Sequence, residues 1–191
     1  MKKLCLSIFI FCAIAFNSNA ETVRITSGKE NARITIIAYE SLTCSHCSDF
    51  HRNVYPKLKK DFIDTGLAKI EFRHFPLDVA AFNAAKISQC KNDGDSTILN
   101  SLFANQQKWV KGSSIEEANK NLQKFLISEG FNVDFEGCIN NKEIEDFILN
   151  DRIDGVKKFK VNATPTIIIN NEKFEKSLNY KNLKKALEKL I

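Results

Sequence analysis

What the chain lacks narrows its function first. It has no apolar run long enough to cross a bilayer: the longest, Leu4 to Phe16, is about 13 residues against the roughly 20 that a spanning helix needs. Its net charge of +5 is mild and spread along the chain. No run of basic residues forms the stripe that a nucleic-acid partner requires. No internal repeat or low-complexity segment is present, and 43% apolar content with mixed charge excludes a disordered chain. A second Cys-x-x-Cys is also missing, and with it the paired knuckles of a common structural zinc site. At 191 residues the chain can form one domain with a real core, or one domain plus an insertion.

What is present begins with an export signal. Lys2 and Lys3 precede the apolar run, which ends in Asn17-Ser18-Asn19-Ala20. That order predicts a secretory signal peptide over 1–20, cleaved after Ala20. A lipoprotein anchor is disfavoured, because Cys12 follows Phe11 where a small residue is wanted. Cleavage removes Cys5, Cys12 and the two lysines, so the mature charge falls from +5 to near +3. Cys44, Cys47, Cys90 and Cys138 remain. An even count in an exported chain favours disulfides, and three pairings are open.

The patterning predicts a β-α-β unit, a helical stretch and a β-β-α return. Val23–Thr26 reads as a short first strand and "RITIIAY", residues 33–39, as a strand buried on both faces. From Ser45 the spacing of Cys47, Phe50, Val54, Leu58 and Phe62 is helical. Pro56 should kink that helix and Gly66 end it. "KIEFRHF", residues 69–75, is the second long strand, closed by Pro76. Residues 78–157 then read as helices, with Asp78 as one cap and Ser113-Ser114 with Glu116-Glu117 as two capping boxes. "TPTIIIN" and "KFEKS" form a hairpin turning at Asn171-Glu172, and Tyr180–Leu190 is a closing helix.

"SLTCSHC", residues 41–47, carries the chemistry. Cysteines at i and i+3 of a helical turn stand roughly 5 to 6 Å apart at Cα, within disulfide reach. Cys44 falls at the helix N-terminus, where free backbone N–H groups and the dipole favour a thiolate, and His46 adds a donor or a charge. A stabilised thiolate leaves readily and makes the disulfide oxidising. Known dithiols of this kind span about −270 to −120 mV, roughly 7 kcal/mol. Two other readings stay open at this point. Cys44, Cys47 and His51 could supply three zinc ligands, or the pair could be a purely structural bond. Pro165, before the returning strand, belongs at a strand start or edge. On sequence physics alone its bond would be trans.

Taken together, "SLTCSHC", "FRHFPLD" and "NATPTIIIN" resemble the DsbA-like thiol:disulfide oxidoreductases, and the likeness covers the mature chain. It implies an α/β chain with a thioredoxin-like fold and an inserted all-helical subdomain. The parts would be a first thioredoxin-like segment over 21–77, the insertion over 78–157 and a second segment over 158–191. It further implies Cys44 as the exposed nucleophile, Cys47 as the buried resolving thiol and a cis Pro165 opposite them. Thr164 would offer its backbone to an extended substrate. Two departures stand out. The family dipeptide is more often Pro-His, and here it is Ser45-His46. The family acid often lies six residues before the first cysteine, where this chain has Ala38. Glu40, two residues on and on the same strand face, is the candidate proton partner for Cys47; the alternative is a solvated strand end.

Cys90 and Cys138 are expected to form a structural disulfide, the alternative being two buried thiols. His51 reads as a packing histidine on the buried helix face, His74 as structural and Trp109 as packed. The expected activity is periplasmic introduction of disulfides into exported proteins, by a monomer without bound cofactor or nucleic acid. A membrane quinone-linked, DsbB-like partner would reoxidise it. The alternatives are a reductase or isomerase, or a non-catalytic peptide- or zinc-binding module. Isomerases of this superfamily usually carry an N-terminal dimerisation domain, for which about a dozen residues after Ala20 leave no room.

Overall fold

The computed structural model describes residues 21–191; the expected signal peptide, with Cys5 and Cys12, lies outside the described residues. β1 (Thr26–Ser27), β2 (Ile34–Glu40), β3 (Ala68–His74), β4 (Thr166–Ile169) and β5 (Glu172–Lys173) form one sheet in the order β1-β3-β2-β4-β5. β2 and β3 run parallel, from Ile34 against Ala68 to Glu40 against His74, and the other pairs are antiparallel. β2 is central and covered on both sides, so its residues form a nearly continuous β-branched run. β3 alternates buried Ala68, Ile70, Phe72 and His74 with half-buried Lys69, Glu71 and Arg73.

The first strand is later and shorter than expected. Val23 pairs with the helical insertion instead, its N–H donating to Asn92 Oδ1 and its carbonyl accepting from Gln89, and the Thr26 N–H donates to the Gly94 carbonyl, while the Ile25 carbonyl still accepts from the Phe72 N–H of β3. Between β2 and β3 the chain winds through α1 (Ser45–Asp49), a π segment (Phe50–Val54), α2 (Tyr55–Leu58) and a second π segment (Lys59–Ile63). The Tyr55 N–H reaches back five residues to the Phe50 carbonyl. This wide turn directly precedes Pro56 and takes up the ring's clash with the turn before it without ending the helix.

The insertion comprises α3 (Val79–Gln89), α4 (Thr97–Ala104), α5 (Gln106–Trp109), α6 (Ile115–Ser128), α7 (Phe135–Ile139) and α8 (Lys142–Phe159). Asp78 caps α3 by accepting from the Ala81 N–H. At α6 the two expected boxes merge: Ser114 accepts from the Glu117 N–H, while the Glu117 carboxylate returns to the Ser113 N–H and hydroxyl. α8 runs past residue 157 to Phe159 and stops at left-handed Lys160. Cys90, which follows α3, is bonded to Cys138 of α7. The β4–β5 turn is Asn170-Asn171, both at positive φ (45° and 69°), one residue earlier than expected and suited to a tight hairpin. α9 (Tyr180–Leu187) closes the chain, shorter than its apolar pattern suggests.

One face of the sheet and the insertion share a single core. Ile34, Ile36, Ala38, Ile70 and Phe72 of the sheet are continuous with Leu102 and Phe103 of α4, Leu122 and Phe125 of α6, and Ile148 of α8. The opposite face carries a smaller cluster of Ile37, Tyr39, Phe75, Val161 and Ile168.

Candidate active site

The parallel strands β2 and β3 end at the same edge of the sheet, and the chain after β2 turns straight into α1. Cys44 is the N-cap of α1, with extended backbone (φ −77°, ψ 120°), and its carbonyl accepts from the N–H groups of Cys47 and Ser48. Its own thiol is half-buried, and Cys47 is fully enclosed; both are free thiols. The Cys44 thiol lies 3.3 Å from the Thr164 carbonyl, to which it donates when protonated. The Thr164-Pro165 peptide is cis.

The two sulfurs are electrostatically unequal. The Cys44 thiol is pulled down to about 5, first by the hydrogen bond from Cys47, then by Thr164 and by the N–H groups of Cys47 and His46, against the opposing effect of burial. Thr164 Oγ1 is buried with no other partner, so its hydroxyl is available to the thiolate. Cys47 is pushed far up, by burial first, then by its bond to Cys44 and by the charge of Glu40. One thiol is poised to attack and the other holds its proton.

Glu40, at the end of β2, is not solvated. It is buried, and its Oε2 lies 2.9 Å from Nε2 of equally buried His51. Its Oε1 has no partner. His51 stacks on Phe103 at 4.1 Å between ring centres, and its Nδ1 lies 3.2 Å from Asn100 Oδ1. Both ring nitrogens are thus engaged within the protein, which leaves His51 without a free nitrogen for the zinc ligation considered above. Among the described residues no group of three or more His, Cys, Asp or Glu side chains converges as a metal site.

His46 is exposed. It lines a cavity of about 340 Å³ with Asp49, Phe50, Val54, Leu178, Thr164 and Pro165, beside the Cys44 thiol. The 90–138 bond sits within the insertion. His74 is buried near Arg24 and Gln89 and driven down to about 4, first by burial. Trp109 is buried, its Nε1 donating to the Leu102 carbonyl at 2.8 Å.

Sequence reasoning missed the grip of the insertion on this site. Gln106 of α5 donates to the carbonyls of both Leu42 (2.8 Å) and Cys44 (3.0 Å). Ser48 donates to the Phe103 carbonyl at 2.7 Å, and Asn100 holds His51. These polar residues lie in amphipathic or short helices and carry no motif. The one signal was His51, an ionisable residue assigned to the buried helix face eleven residues after Glu40, the candidate proton partner.

Known proteins resemble this chain along most of its length. A family model described as thioredoxin matches residues 20–189. The crystal structure of Wolbachia pipientis alpha-DsbA1 superposes with a TM-score of 0.77 at 34% identity, over 87% of this chain and 90% of that one. Disulfide bond formation protein D of Bacillus subtilis is 28% identical over 174 residues, 85% of this chain and 74% of that protein. A Rickettsia prowazekii protein named as a protein-disulfide oxidoreductase is 26% identical over 168 residues, and the match spans 60% of its length. The architecture is a thioredoxin-like fold with a helical insertion.

Proposed function

The chain belongs to the thioredoxin family, in its DsbA-like group, and from that premise we propose that it is an exported protein-disulfide oxidoreductase that introduces disulfides into folding periplasmic proteins. The observation that carries this reading is the inequality of the two thiols, Cys44 accessible and lowered to about 5, Cys47 enclosed and raised. A stabilised Cys44 thiolate favours the reduced protein and therefore makes its disulfide a donor. A substrate thiolate attacks Cys44 of the 44–47 disulfide, a mixed disulfide forms at Cys44, and Cys47 leaves and takes a proton. A second substrate thiol then releases the oxidised product and the Cys44 thiolate. Thr164 and Pro165, with His46 across the cavity beside Cys44, offer an extended substrate a backbone edge and a shallow floor. Glu40 handles the Cys47 proton in place of the acid that Ala38 does not supply.

The remaining steps follow the family's pattern. Residues 1–20 direct export, the mature chain acts as a monomer, and a membrane quinone-linked, DsbB-like protein restores the disulfide. Replacing Cys47 by alanine tests the core of the reading: exported proteins should accumulate as reducible adducts on Cys44. A Cys47→Ala protein that captures no thiol partner would remove catalysis and leave a peptide-binding role. A potential near −250 mV or below would instead assign the reductive direction.

A further inference from the structure

The buried pair below Cys47 does more than pack. Asn100 Nδ2 donates to Ser96 Oγ at 3.0 Å, which leaves its Oδ1 to accept from His51 Nδ1–H. With Nδ1 protonated, the 2.9 Å contact between His51 Nε2 and Glu40 Oε2 contains a single proton. On Nε2 it makes an imidazolium beside a carboxylate; on Oε2 it makes a neutral acid. The second carboxylate oxygen, Oε1, is buried and partnerless, and the Glu40 charge is felt at Cys47. We propose that His51 is a positioning residue for proton transfer at Cys47, holding the shared proton on Nε2 so that Glu40 stays ionised inside the core and its Oε1 can take the Cys47 proton. This rests on the redox reading of Cys44 and Cys47.

The surroundings favour that role. Burial, with a smaller push from Cys44, drives the Glu40 carboxyl upward, and His51 is the group that opposes them. The titratable groups facing the pair are Cys44 and Cys47 of the α1 turn, Tyr55 of α2 and, across the strand register, His74 of β3. His74 interacts with Arg24 and Gln89, and Tyr55, raised by burial, is a neutral phenol. Phe103 and Asn100 of α4 face His51 with no charge. His51 is therefore the basic side chain in hydrogen-bond contact with the Glu40 carboxylate.

Cys47 Sγ–H gives its proton to Glu40 Oε1. The thiolate electron pair forms the bond to Cys44 Sγ, and the bond from Cys44 to the partner sulfur breaks with its pair leaving on the partner thiolate. The cysteine pair is oxidised and the partner reduced by two electrons. When a substrate thiolate later opens the 44–47 bond, the same proton returns to Cys47.

The test uses the reduced full-length mature protein and an aromatic disulfide whose thiolate is coloured. The first coloured thiolate reports attack by Cys44, the second resolution by Cys47. Across pH, His51→Phe should leave the first phase unchanged, slow the second by about tenfold or more at pH 7 and move its midpoint to alkaline pH. Glu40→Gln should slow the second phase comparably, and the double variant should lose no more than either single one. The infrared carbonyl stretch of a protonated carboxylic acid should appear at neutral pH in His51→Phe and be absent from the wild type. His51→Gln keeps a donor to Glu40 without a cation and should still shift the profile. A His51→Phe or His51→Gln protein with the wild-type second-phase profile overturns the proposal, as do losses that multiply in the double variant. A wild type with no second phase overturns the redox reading itself.

Discussion

A thiol pair split this far holds one proton at neutral pH instead of two. Cys44 is lowered to about 5 and Cys47 is raised, so the reduced site is a thiolate beside a thiol. The unfolded reference for Cys44 is an ordinary thiol near 8.5. Its folded value is depressed, so the stabilisation it gives the reduced form is complete above about pH 8.5. It fades as pH falls and is gone below about 5. The oxidised form has no such group. The gap in stability between reduced and oxidised protein should therefore narrow from pH 8.5 to 5. The potential should change by about 30 mV per pH unit above pH 5 and about 60 mV per unit below it. Equilibration with glutathione at a series of pH values measures both slopes; a single slope through pH 5 would contradict the assigned thiolate. Cys44 and Cys47 were legible in the sequence because their chemistry is local, a fixed spacing at a helix start, whereas the cis bond at Pro165 came only from the family resemblance. Glu40 was found from the family's acid position together with strand alternation, but its partner was not. A carboxylate and an imidazole on different elements become one unit only when α4 presses Phe103 against the imidazole.

At the scale of elements, the strands and helices followed their periodicity, and the departures have local causes. Val23 left the sheet because the insertion offered its backbone better partners in Asn92 and Gln89. The helix through Pro56 survived because a π turn precedes it. α8 shows a constraint that no pattern announced. Gly155 lies against Tyr39, and a Cβ there would stand 2.8 Å from the ring. That ring is fully buried, edge-on to Phe75 at 6.5 Å and tilted against Phe159 at 6.1 Å. Alanine would gain about 1 kcal/mol of helix propensity and lose about 1 to 3 kcal/mol to overpacking. Gly155→Ala should lower stability by about 1 kcal/mol in urea unfolding, with the Cys44 reactivity unchanged. Unaltered or increased stability would show that α8 can lift from β2 at little cost.

At the scale of the whole molecule, the order of units was legible and their unity was not. Residues 78–157 read as a helical insertion, but a run of amphipathic helices says nothing about which neighbour covers it. In the structure that block and the sheet bury one core. The Cys90–Cys138 bond spans 48 residues of it. On the chain-entropy model such a closure stabilises by about 4 kcal/mol. Replacing both cysteines by alanine should lower the melting temperature by roughly 10 °C. Calorimetry of the double variant with Cys44 and Cys47 intact checks this, and an unchanged transition would mean the bond constrains little beyond what packing already fixes.

The grip of α4 and α5 on the cysteine turn has a kinetic meaning as well. Ser48, His51, and the carbonyls of Leu42 and Cys44 are each tied to the insertion, and Cys47 is shut beneath them. A small alkylating reagent can reach Cys47 only in the moments when the insertion swings clear. The slow labelling of that one sulfur is thus a clock for the breathing of the entire helical half, kept by the residue whose enclosure the helices provide.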